Sequence, residues 1–534
     1  MSLRSYMQSP AEIRLRFTVP ATNRQKLRTD IAGGGDAIER TSLATLHLDT
    51  EGSHLARAGF EWRLRREGRR WIQRLKATQG DGHGGLEHEV LRSRAEFDVF
   101  VHAGTAIGVR LMAVLNEARL QGAEVGVRSQ SEVRRAVRRV RTAGASVEVI
   151  VDQGRIVLDQ VTRPICNIEF RLLSGSLSAM LGLVERWRKR YALQYDPRSE
   201  AEYGDQLASN TGFPSLRKAC PPSYRHDATP VEAFGRILDE CLAHMTRNAV
   251  GLCDGDPALR VEHVHQLRVG MRRLRSALRS FRAWTPDPPA ELVDRLRALF
   301  TTLGQARDAD VLSGGVMADL KRIGAPAPTV PDRHDAPDPA GALRSDEAQQ
   351  LLLAWLTWRM TLAEQGAPPE QRTAGRRDLD VSLATTPAGS ASDRAQQSAN
   401  DEPGDQRTLR RRAARRLRRW HDAIVVAWND FDNLERTGLH VLRKRIKRQR
   451  YAVEFFAPLL TPRDARRYLK PLAAIQERMG ELNDLFVAQE RYQALVPNEP
   501  TAWFALGWLV ARIEVVRSLA KPELGKLAEE APPA

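Results

Sequence analysis

The chain has 534 residues, with 82 Lys and Arg against 66 Asp and Glu, a formal net charge of +16. That length allows two or three domains with sizeable cores, and the cationic excess points to an anionic partner. Aromatic residues make up only 6%, which argues against a surface built mainly on base stacking.

Four cysteines, Cys166, Cys220, Cys241 and Cys253, form no CxxC pair; they support no zinc site and suit a reducing compartment. The opening MSLRSYMQSPAEIRLRF has no apolar core of signal-peptide length. The apolar run AWFALGWLVA breaks at Arg512, too soon to span a bilayer. A cytoplasmic protein without membrane contact is expected.

Residues 1–205 read as strand-rich. The alternating runs EIRLRFTV, GFEWRLRR, RWIQRLK, SVEVIVDQG and CNIEFRLL are separated by turn residues. Side chains alternate along a strand, so Arg63 and Arg65 share one face. AEFDVFVHAGTAIGVRLMAVL and LSAMLGLVERWRKRYAL read as helices. Residues 206–229 are expected to be a linker and 230–520 a helical domain, with a tail over 521–534. The stretch 324–405, rich in Pro, Gly, Ala, Ser and charge, reads as a mobile insertion around the helix LLLAWLTWRMTLA.

The helical domain carries an internal repeat. His265-x-x-Arg268 matches His440-x-x-Arg443, and LGQARDADVL at 303 matches MGELNDLFVA at 479. Asp308 follows His265 by 43 positions and Asp484 follows His440 by 44. Two related bundles facing each other are expected.

At 100° per residue, His265, Arg268, Arg272, Arg275, Arg279 and Arg282 fall within an arc of roughly 100°, beside an apolar stripe of Leu267, Met271, Leu274, Leu278 and Phe281. His440, Arg443, Lys447 and Arg450 repeat this row. Arg273 is a further cation of the same stretch. No acid interrupts 263–286 or 438–453. Like charges at i,i+4 repel by about 0.2–0.5 kcal/mol each, and a bound polyanion relieves that repulsion while releasing counterions. The paired histidines are expected to donate a ring N–H to phosphate oxygens. Asp308 and Asp484 are expected to hold arginines in place.

The doubled H-x-x-R-V-x-x-R-R-L-R pattern with its L-G-x-x-R-D-x-D-V-L follow-up, at His265–Arg275, Leu303–Leu312, His440–Tyr451 and Met479–Ala488, resembles the CHAD domain. The resemblance implies an internally duplicated helical module that binds inorganic polyphosphate in a cavity between its two basic faces, and association with polyphosphate granules.

The first 205 residues resemble the CYTH, or triphosphate tunnel, fold. The resemblance rests on the E-x-R-x-R opening at Glu12, HLDT at 47, EWRLRR at 61, RLK at 74, EHE at 87, VDQG at 151 and NIEFRL at 167. It implies an eight-stranded antiparallel barrel that hydrolyses triphosphates with magnesium or manganese. Three departures matter. Arg14 and Arg16 stand where that family has Glu and Lys, Asn167-x-Glu169 replaces E-x-E, and Glu200 replaces a lysine.

A hard dication wants several carboxylates, and arginine at a ligand position repels it. Glu12, Glu87, Glu89 and Glu169 could collect one ion; a two-metal site is compromised. Arg14, Arg16, Arg63, Arg65 and Lys76 could grip phosphates without metal. The expected fold is therefore an α+β chain: an antiparallel β-barrel, then an all-α duplicated helical bundle. Three functions stand in order: polyphosphate binding with an impaired barrel, metal-dependent tripolyphosphate hydrolysis, and nucleic-acid binding. Few aromatics interleave with the arginines, which places nucleic acid last.

Overall fold

The computed structural model describes residues 13–33, 38–77, 86–158, 160–208, 213–314, 316–325, 338–365 and 407–533. Nine strands form one antiparallel sheet: β1 Arg14–Thr18, β2 Ile38–Thr50, β3 Phe60–Glu67, β4 Arg70–Ala77, β5 Leu86–Arg92, β6 Val125–Arg141, β7 Ala145–Leu158, β8 Val161–Gly175 and β9 Gln194–Tyr195. Their order is β5-β4-β3-β2-β6-β7-β8-β1-β9.

The antiparallel β region appears as expected, with one correction. Among the described residues no ladder joins β5 to β9, so the sheet is not closed into an eight-stranded barrel. The two-residue β9 pairs only with β1, too short a strand to carry the ladder further.

Alternation gives the sheet two chemically opposite faces. Leu15 and Phe17 of β1 join Val147, Val149, Ile168 and Phe170 in a core sealed by the helix Leu177–Tyr191. Trp62 and Leu75 pack with Ile107 and Leu111 of the helix Ala106–Leu120. The residues between them, Arg14, Arg16, Arg63, Arg65, Arg74 and Lys76, point to the other face and line a cavity of about 280 Å³. At Gly154 the chains of β6 and β7 come so close that a Cβ would meet the Glu132 carbonyl oxygen at 2.0 Å, which only glycine tolerates.

The helical part comes in two matched sets. The first contains Pro230–Asp254, Arg260–Phe281 (the first histidine helix) and Ala290–Gly314. The second contains Arg407–Asn429 (the arginine helix), Arg436–Phe456 (the second histidine helix) and Pro462–Leu495. One continuous apolar core runs through both. The two histidine helices meet at Phe281 and Phe456, equivalent positions in the repeat, with ring centroids 5.4 Å apart. A final helix, Ala502–Glu529, buries Leu524 and Leu527, so the helical part extends past the tail boundary expected at 521.

Two expectations about connecting segments change. Tyr224, in the expected linker, is half-buried and donates its hydroxyl to the Phe455 carbonyl at 2.8 Å. Within the expected insertion, Asp346–Gln365 is a packed helix. Its Leu351, Leu352 and Trp355 enter the helical core, while Leu353 enters the sheet core. Asp346 accepts from the buried Arg188 at 2.9 Å and Gln349 from the Tyr195 amide at 2.8 Å. This helix therefore joins the two halves of the molecule. The rest of the insertion, 366–405, lies outside the described residues.

Candidate anion-binding surfaces

The sheet cavity is rich in cations, yet nearly all of them face a carboxylate. β3 and β4 set Glu61 opposite Lys76 and Arg63 opposite Arg74. Arg63 lies 3.4 Å from Glu61, and Arg14 lies 3.8 Å from Glu169. Arg135 makes a two-pronged pair with Asp152 at 2.8 and 2.7 Å.

Glu200 is the centre of the arrangement. It is buried, accepts from Ser131 Oγ at 2.8 Å, and stands 4.0 Å from both Arg16 and His47. Burial alone would raise its pKa, but the charges of Arg65, His47 and Arg16 and the Ser131 hydroxyl hold it well below the usual carboxylate range. Burial pushes His47 down to about 4, against the opposing pull of Glu200 and Glu61. Arg65, which donates to Thr45 Oγ1 at 3.1 Å, is pushed down to about 10 by burial and by Arg63, although Glu200 opposes this. The buried Glu200 carboxylate thus sits as a built-in anion among these cations.

The metal expectation fares differently at each residue. Glu12 lies outside the described residues. Glu87 and Glu89 both pair with Arg74, and Glu169 lies 3.7 Å from Arg171. Among the described residues no three His, Cys, Asp or Glu side chains converge to hold an ion. The donor set in view does not fit magnesium or manganese, because guanidiniums already occupy the carboxylates.

In the helical row, two arginines stand apart from this pattern. Arg272 and Arg443 come from different repeats, yet lie close enough for each charge to act on the other. Burial, and against Asp484 the charge of Arg272, lower the pKa of Arg443. Neither guanidinium has a carboxylate within 4 Å among the described residues, and the Nε of each is buried without a hydrogen-bond partner. An orphaned buried donor costs about 1–3 kcal/mol, which a phosphate oxygen would offset.

Their neighbours are held in place by backbone, ring and side-chain contacts. Arg268 donates to the Phe300 carbonyl at 2.9 Å and lies 4.2 Å from the Phe300 ring centroid. Its guanidinium fits because residue 304 is glycine; a Cβ there would come within 2.1 Å of Nη1. Arg275 lies 5.8 Å from the same ring. His440 Nδ1 stands 3.3 Å from Asn483 Oδ1. Burial, Lys444 and Arg443 lower its pKa despite that bond. His265 and Lys447 are both half-buried on their helices.

Two of the expected contacts already pair with a carboxylate. Arg273 is 4% exposed, pairs with Glu454 and lies over the Tyr451 and Phe455 rings. Arg450 reaches the same Glu454 at 3.0 Å. Arg279 is exposed and open. Asp484 acts on Arg443 through its charge without an ion pair within 4 Å, and accepts from Asn483 at 3.3 Å instead; the side chain of Asp308 lies outside the description.

Sequence reasoning missed Phe300, Gly304, Glu454 and Asn483. Only Glu454 carried a usable signal: it is the acid that ends the acid-free run 438–453, at the position where the first repeat has Arg279.

Fold and sites together define a two-part chain: a sheet whose polar cavity sets arginines beside carboxylates, joined to a duplicated helical bundle with cationic rows on its two histidine helices. Residues 236–493 match the CHAD domain family, and the chain belongs to that family. It is 30% identical to the CHAD domain of the plant Ricinus communis, an alignment covering 60% of this chain and 99% of that one, with a TM-score of 0.44. The sheet region is similar to a putative adenylate cyclase from Bacillus halodurans, at 14% identity, 36% and 96% coverage and TM-score 0.27. It is also similar to a putative adenylyl cyclase from Hippeastrum described as having a dominant triphosphatase activity, at 16% identity, 35% and 92% coverage and TM-score 0.24. No described helix is long and apolar enough to cross a membrane.

Proposed function

We propose that this protein binds inorganic polyphosphate on the helical domain, along the seam between the two histidine helices. One observation carries the reading: Arg272 and Arg443, one from each repeat, bring two cations with no ion pair among the described residues, and buried Nε–H donors without a partner, to one place. A flexible chain with one negative charge per phosphate satisfies both at once and gains from counterion release. The sheet cavity, with Glu200 already seated among its arginines, serves as a weaker anion site and not as a hydrolase. In a cell, such a protein would collect with polyphosphate granules.

Competition tests the choice of polyanion. Long-chain polyphosphate should displace duplex DNA at equal phosphate concentration, and DNA displacing polyphosphate would overturn the proposal. Phosphate release from tripolyphosphate with magnesium or manganese, abolished by Glu12→Ala, would instead establish a metal-dependent triphosphatase.

A further inference from the structure

The two repeats are not equal in charge. The helix that precedes the first histidine helix, Pro230–Asp254, carries two arginines and four acids. Its counterpart in the second repeat, the arginine helix Arg407–Asn429, carries eight arginines and a single acid, Asp422. Repetition of an ancestral pattern does not produce this difference, and packing does not require it. Leu409, Ala413, Leu417 and Ile424 already supply the buried stripe.

The asymmetry continues into the histidine helices. Matching His265 to His440 makes Arg273 equivalent to Arg448 and Arg279 equivalent to Glu454. On one side of the repeat axis, Arg273 is neutralised by Glu454. On the other side, the same pair of positions places Arg448 near Arg279. The side with two cations is the one that the arginine helix covers. Arg416 donates to the carbonyls of Ser280 and Arg282, at 2.5 and 3.1 Å, and sits 3.9 Å from the Trp284 ring centroid. Arg448 sits 4.5 Å from the Trp420 ring centroid with its buried Nε unpaired.

These contacts fix the guanidiniums in space but remove no charge, because carbonyls and ring faces are neutral. The cations are consequently felt by one another. Burial, then Arg279, Arg445 and Arg419, lower the pKa of Arg448. Burial, Arg419 and Arg412 push Arg416 down to about 10. Arg275, further back along the first histidine helix, is lowered by burial and by Arg279. The charge is therefore continuous from the seam, through Arg275 and Arg279, onto the arginine helix, where Arg415, Arg418 and Arg419 are exposed.

We propose that the arginine helix is a second segment of the anion track, so that a phosphate chain held at Arg272 and Arg443 runs on past Arg279 and Arg448 to Arg415 and Arg419. The inference rests on the polyphosphate reading above and adds a property to it: affinity that depends on chain length. A short phosphate fills the seam alone, while a long chain engages both segments and gains the product of their contacts.

The test uses the full chain with Arg415→Gln and Arg419→Gln together, two exposed positions. Affinities for long-chain polyphosphate and for tripolyphosphate are measured over a range of salt. The long chain should lose about tenfold and its salt slope should flatten by about 1.4, two contacts at roughly 0.7 each. Tripolyphosphate should change by less than about twofold. Equal losses for both lengths, or no loss for the long chain, would overturn the inference. So would a loss confined to single-stranded RNA, which would assign the helix to nucleic acid. Failure of the underlying reading looks different: long-chain binding would then survive Arg272→Glu with Arg443→Glu.

Discussion

The sheet cavity and the helical seam are both lined with arginine, and the contrast between them lies in what faces the guanidiniums. In the cavity, Glu61, Glu169, Asp152 and Glu200 stand among the cations. At the seam, Arg272 and Arg443 lie near each other and neither has a carboxylate within 4 Å among the described residues, although the charge of Asp484 reaches Arg443. A count of basic residues would rate the two surfaces alike. The cavity cations are partly offset by these carboxylates, while Arg272 and Arg443 have no ion pair among the described residues.

The largest effect should come from breaking the seam. Arg272→Glu with Arg443→Glu should weaken polyphosphate binding at least about hundredfold, about 2.7 kcal/mol, with helix content unchanged by circular dichroism. Both side chains lie off the apolar stripe, so a fall in helix content would count against the assignment.

Next in size is the release of the cavity's internal anion. Glu200→Gln leaves the Arg16 and Arg65 charges uncompensated and should destabilise the chain by about 3 kcal/mol, read as a lower thermal midpoint. Added tripolyphosphate should restore part of that midpoint in the variant and little in the parent. If the variant responds to phosphate no more than the parent does, Glu200 is not acting as a stand-in anion. The same residue sets a sign with pH. Its folded pKa lies below the ordinary value, so its contribution is complete at neutral pH and declines as pH falls below about 4.5.

The smallest effect concerns His440. Its pKa in the free protein is lowered, and a phosphate beside the ring favours the protonated form. Affinity should therefore rise as pH falls from 8 to 6, by about two- to fivefold, and His440→Gln should flatten the profile. A flat profile in the parent would remove the histidine from the contact set.

Much of this contrast was legible in the sequence, though unevenly. The helical rows followed from spacing alone, because a helix fixes which side chains share a face and the repeat supplied an internal control. β3 and β4 were equally plain from alternation. β6 was not: Val125–Arg141, with arginines at 128, 134, 135, 138, 139 and 141, shows no clean period of two, yet forms the longest strand among the described residues. Its neighbours β2 and β7 impose the pairing that its own pattern leaves undecided. The closed barrel failed for a related reason, since ladder closure depends on strand ends and register, which alternation does not encode.

At the sites, the sequence reported residue types but not partners. Arg272 and Arg273 are adjacent and chemically identical; one faces the seam and the other is buried on Glu454. The row geometry separates them by angle, while the identity of Glu454 as the neutralising acid comes from a contact 181 positions away. Glu200 could be recognised as a departure from the tunnel pattern, but its seat among Ser131, Arg16 and His47 required the folded sheet. Charge runs become interpretable only once it is known which of them meet an acid.

The most direct measurement is a crystal structure of the full chain grown with polyphosphate. Phosphate density should run along the seam, with oxygens against the Nε–H groups of Arg272 and Arg443. Density confined to the sheet cavity, with the seam holding only water, would contradict the account.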